Sequence, residues 1–146
     1  MNLFEFEQGQ FHQTEILPDI FIPRDIGDSD NDGQLEILAG VGPRSFILEQ
    51  TPFDVVPREI VWSDSNDFWA SRFADLDQDE KYEIIARINE EFKIYECTGD
   101  NQFQQVASLP NPTSGSNYTG VPHTEIGDFD NDQRSEILIG DYDGDI

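Results

Sequence analysis

The chain is poor in cations, histidine and sulfur: 146 residues carry 8 lysines and arginines, two histidines, one methionine and a single cysteine, Cys97. One cysteine excludes an internal disulfide and any zinc cluster held by several thiolates. Eight cations against 31 acidic side chains leave a net charge of -23, and such a field repels a phosphate backbone, so no nucleic-acid partner is expected. No apolar run approaches the roughly 20 residues that cross a bilayer as a helix, and no membrane span is expected. Residues 1–20 include Glu5, Glu7, Glu15 and Asp19 and lack a basic segment leading into an apolar one, so an export signal, if used, lies outside this chain. Helix signals are missing as well. No stretch joins a 3.6-residue apolar period to end caps, which predicts a helix content near zero.

What the chain does have is core material and repetition. At 36% hydrophobic with 11 phenylalanines it has enough apolar mass to fold despite its acidity. One pattern of acids and aliphatics occurs three times, starting at Asp28, Asp75 and Asp128, with intervals of 47 and 53 residues. Each copy places acids at positions one, three, five and nine: Asp28, Asp30, Asp32 and Glu36; Asp75, Asp77, Asp79 and Glu83; Asp128, Asp130, Asp132 and Glu136. Short apolar runs follow (Glu36-Ile37-Leu38-Ala39, Glu83-Ile84-Ile85-Ala86, Glu136-Ile137-Leu138-Ile139), as expected for buried strands. A fainter repeat of an aliphatic or aromatic residue before glutamate lies between the loops, at Phe6-Glu7, Leu48-Glu49 and Tyr95-Glu96. The interval suits one four-stranded unit, so the expected fold is all-β, built of β-propeller blades. The expected division is a half blade at 1–20, blades at 21–67 and 68–118, and a half blade at 119–146. Three units cannot close a ring of about four to eight blades. Either the chain is part of a longer protein, or chains associate through their half blades.

Aspartates at alternate positions of a tight loop aim their carboxylates at one point. The backbone carbonyl of position seven (Gln34, Lys81 or Arg134) and the longer glutamate at position nine would close the cage. An all-oxygen, flexible, highly charged site suits calcium, up to three ions in all, better than magnesium, which demands a compact octahedron, or zinc, which favours nitrogen and sulfur. An EF-hand needs a glutamate at position twelve, occupied here by Ala39, Ala86 and Ile139. The competing account is that Asp-rich turns merely satisfy backbone donors. Position six requires a residue tolerant of positive φ, and only Gly33 meets that need; Glu80 and Gln133 would be strained by about 1 kcal/mol.

At these residues the sequence resembles the FG-GAP/VCBS repeat family, most specifically in the stretch Asp28 to Leu38. The Phe-Gly-Gly-Ala-Pro element that names the family is replaced by Phe68-Trp69-Ala70 and Tyr118-Thr119-Gly120-Val121-Pro122, which points to a bacterial-type repeat. The resemblance implies a propeller with calcium between the first two strands of each blade and ligand contact on the opposite face. It also implies an extracellular or cell-surface setting, with a protein or glycan as partner.

The inventory for catalysis is thin. His12 and His123 fall in different units, no basic cluster surrounds Cys97, and Gly40-Val41-Gly42 is followed by no helix, so a non-catalytic protein is expected. Trp62, Phe68 and Trp69, beside Asp64, Asn66 and Asp67, could form a sugar-stacking platform or pack between blades. A carbohydrate-binding module, or the propeller part of a polysaccharide-degrading enzyme, is the alternative to a recognition or adhesion scaffold.

Overall fold

The computed structural model describes residues 2–15, 21–54, 56–89, 91–110 and 124–139. Expectations resting on His123 and on 118–122 fall outside them. Within them the chain forms twelve strands and no helix. A hairpin pairs β1 (Asn2–Glu7) with β2 (Gln10–Glu15). Then β3 (Ile22–Gly27), β4 (Glu36–Val41), β5 (Arg44–Glu49) and β6 (Glu59–Asp64) form a four-stranded antiparallel sheet in sequence order. A second four-stranded sheet takes β7 (Trp69–Ala74), β8 (Glu83–Ile88), β9 (Glu91–Gly99) and β10 (Gln102–Pro110). Finally β11 (Thr124–Gly127) pairs with β12 (Glu136–Ile139). The sheets are antiparallel throughout and none closes on itself.

Alternation of side chains along the inner strands explains how the sheets stack. On β4, Leu38 faces the second sheet, where with Ile47, Phe68, Phe73, Ile84, Ala86, Ile88 and Tyr95 it forms the main core; Ile37 and Ala39 face the other way, with Leu48 and Phe21. On β8 the same alternation sends Ile85 to the far face, where it meets Phe92 and, from the third sheet, Ile126, Ile137 and Ile139. Strands covered on both faces read as continuous apolar runs, which is why β4 and β8 lack the polar alternation of a half-exposed strand. The outermost strand β10 is mostly exposed.

The first strands of successive sheets lie side by side, β3 against β7 and β7 against β11. Two polar contacts join β3 to β7: the Phe73 amide donates to Asp25 Oδ2 at 2.9 Å, and Arg72 Nη1 donates to the Arg24 carbonyl at 3.0 Å. At the far end of the sheets, Ser45 Oγ accepts from the Phe68 amide at 2.8 Å and donates to the Asn66 carbonyl at 3.0 Å, which fixes the connection from β6 to β7. This stacking puts the three acidic loops, each joining the first two strands of its sheet, at one end of the molecule.

Candidate metal sites in the acidic loops

The three loops share one hydrogen-bond scheme. The carboxylate at position one accepts from the amides of positions five and six: Asp28 from Asp32 and Gly33, Asp75 from Asp79 and Glu80, Asp128 from Asp132 and Gln133. The carboxylate at position five accepts from the amide of position seven, so that Gln34, Lys81 and Arg134 donate to Asp32, Asp79 and Asp132 at 2.7, 2.9 and 2.9 Å. The glutamate at position nine reaches back to the amide of position two, Glu36 to Ser29, Glu83 to Leu76 and Glu136 to Phe129. Backbone donors thus hold the carboxylates in place without neutralising them.

Such tight turns need left-handed backbone at two positions. Position six does so as expected, with φ of 89° at Gly33 and 72° at both Glu80 and Gln133. Position four does so as well, at Asn31, Gln78 and Asn131, with φ of 60°, 67° and 63°. Asparagine tolerates this region better than most residues with a Cβ, so its presence at position four of two loops has a backbone reason.

The scheme brings acids within reach of a common ion. Carboxylate oxygens of Asp28, Asp30, Asp32 and Glu36 lie within 4.8 Å of one another, as do those of Asp128, Asp130, Asp132 and Glu136; in the second loop the group is Asp75, Asp77 and Glu83. Asp79 is grouped instead with Glu83 and Glu96, a glutamate on β9. Calcium ligands at 2.3 to 2.6 Å from an ion stand at such separations from each other.

Burial distinguishes the loops. Glu36 is 0% exposed and Glu83 2%, and each has one carboxylate oxygen, Oε1, buried with no hydrogen-bond partner. Burial pushes both carboxyls up to about 7, opposed by the amides that donate to them and reinforced by the neighbouring acids. Asp30 is raised by burial and by Asp32 and Asp100. The acids of the third loop are exposed, with Glu136 half-buried. An anionic oxygen with neither water nor donor costs several kcal/mol unless a proton or a cation satisfies it.

The aromatic residues behave differently. Phe68 is 0% exposed, in the core between the two four-stranded sheets, and Trp62 is half-buried beside it, their ring centroids 5.7 Å apart. Trp62 also meets Tyr95 and Phe103, so these two rings pack the sheet interface and Phe68 offers no face to a sugar. Trp69 starts β7, and its side chain lies outside the described structure. Cys97 is buried, its thiol pushed up by burial and hydrogen-bonded to the Gly99 carbonyl, surroundings that disfavour the thiolate. His12 is an exposed residue of β2.

No protein-family model, curated protein or solved structure matches the chain.

Proposed function

We propose that the chain is a calcium-stabilised β-propeller segment of an extracellular or cell-surface protein, a non-catalytic scaffold for recognition or adhesion. The observation that carries the calcium reading is the pair of buried, partnerless carboxylate oxygens on Glu36 and Glu83, set among aspartates already held by backbone amides. A divalent ion would satisfy these oxygens and pin the loop that joins the first two strands of each sheet, so its binding energy would become folding energy. The side-by-side first strands and face-to-face sheets suit propeller blades, as the FG-GAP/VCBS resemblance implies. Millimolar calcium outside cells suits sites of this kind.

Thermal unfolding with excess EDTA and with millimolar calcium, on the native chain and on Glu36→Gln, tests the reading. Calcium should raise the midpoint of the native chain by several degrees. Glu36→Gln should raise the midpoint in EDTA, because an unsatisfied acid is gone, and should forfeit much of the calcium gain. A native chain indifferent to calcium would refute the proposal.

One feature supports the carbohydrate reading as a second choice. At the end opposite the acidic loops an open cleft of about 440 Å³ lies between the sheets, lined by Pro43, Asn66, Asp67, Arg87 and Asn89 among others. Amides, a carboxylate and a guanidinium in one cleft suit a polyhydroxylated ligand. Binding on a glycan array that Asn89→Ala abolishes would favour it; hydrolysis of acidic polysaccharides would favour the enzymatic variant.

A further inference from the structure

A second group of acids adjoins the first loop and belongs to no single repeat. Asp30 and Asp32 come from the loop, Glu49 from the end of β5, and Asp100 from the turn between β9 and β10 of the next sheet; their oxygens all lie within 4.8 Å of one another. The turn is locked against the loop. The Asn101 amide donates to Asp30 Oδ2 at 2.8 Å, and Asn101 Nδ2 donates to Glu49 Oε2 at 2.6 Å and to Asp100 Oδ1 at 2.9 Å. Asn101 holds a φ of 54° to do so, a conformation that asparagine accepts readily.

These contacts exhaust the donors without discharging the acids. Asp30 is 9% exposed and its Oδ1 is buried with no partner; the Asn101 amide oxygen, Oδ1, is likewise buried and unpartnered. Glu49 is 8% exposed. Among the described residues no lysine or arginine forms an ion pair with any of the four. The buried Asp30 oxygen without a donor, set among four clustered carboxylates, is an arrangement that a cation would satisfy. A single ion in the loop cannot serve both groups, because Glu49 and Asp100 lie outside the loop's own set.

We propose that a second divalent cation, of calcium type, binds between the two four-stranded sheets on Asp30, Asp32, Glu49 and Asp100. It would share Asp30 and Asp32 with the ion of the first loop and staple that loop to the neighbouring sheet. The second loop has a partial counterpart in Asp79, Glu83 and Glu96, where Lys81 supplies some of the missing positive charge.

This inference rests on the loops binding calcium, and calcium stoichiometry separates the two claims. Equilibrium dialysis or calorimetric titration with calcium chloride should show Asp100→Ala taking up one ion fewer than the native chain. The loop acids remain in that variant, and Asp100 is exposed, so the fold should survive its loss. Asp100→Asn, nearly isosteric, should show the same loss or a weakening of at least tenfold at one site. Native stoichiometry and affinity in both variants would overturn the inter-sheet site and leave the loop reading standing. A native chain that takes up no calcium would overturn both.

Discussion

Glu36 and Glu83 are acids at the interior end of an acidic loop, and their protonation ties stability to pH. Each has a folded-state value of about 7 against 4.5 for the free residue. A raised value means that the folded state holds its proton more tightly. The associated stability is complete below about pH 4.5 and is lost as pH rises through 7. In calcium-free buffer the unfolding midpoint should therefore fall between pH 5 and 7.5, and Glu36→Gln should flatten that slope. With calcium the trend should reverse, since protons compete with the ion for the same oxygens. Midpoints measured at several pH values with and without calcium check both signs.

At the scale of elements, the two left-handed positions of each loop and one close approach carry testable costs. Glu80 and Gln133 sit at φ of 72° where the first loop has glycine. Glu80→Gly and Gln133→Gly should each stabilise the chain by about 1 kcal/mol, while Gly33→Ala should destabilise it by a similar amount. Gly27 ends β3 against the second sheet, and a Cβ there would stand 2.9 Å from the Tyr82 ring. Gly27→Ala should cost about 1 to 3 kcal/mol by forcing that ring aside, read as a lowered denaturant midpoint. The strand, acidic loop, strand order was legible in the sequence because the acid spacing and the apolar runs after Glu36, Glu83 and Glu136 are local signals. The need for positive φ at Gly33 was equally legible. The roles of Asn31, Glu49, Glu96 and Asn101 were not. Position four looks like an ordinary polar residue until its φ is known, and Asn101 meets Asp30 across 71 residues of chain, a pairing that only the stacking of sheets creates. Of the two roles open to Phe68, packing is the one its burial fits, because a ring beside polar neighbours in sequence can still point into the interface between sheets.

For the whole molecule the decisive quantity is the charge of -23, of which three calcium ions would leave -17. Repulsion of this kind is screened by salt, whose Debye length shrinks from about 10 Å at 0.1 M to about 3 Å at 1 M. Sodium chloride should therefore raise the midpoint of the calcium-free chain over that range. Millimolar calcium should exceed the effect at far lower ionic strength, because it acts at the loops and not through screening. Equal gains from calcium and from sodium chloride of matched ionic strength would reduce the loops to solvated turns.

Successive loops also touch. The Tyr82 amide, in the second loop, donates to the carbonyl of Ser29 in the first at 2.9 Å, and Gln78 Nε2 in the second donates to the Gln133 carbonyl in the third at 2.6 Å. An amide proton held by its neighbour's loop exchanges with solvent only when the contact between the two loops opens. Tyr82 is thus a native reporter, read from the second sheet, of whether the first loop is closed. Its hydrogen exchange would slow on filling a site to which it contributes no ligand, and neighbouring loops would open as coupled units rather than independently.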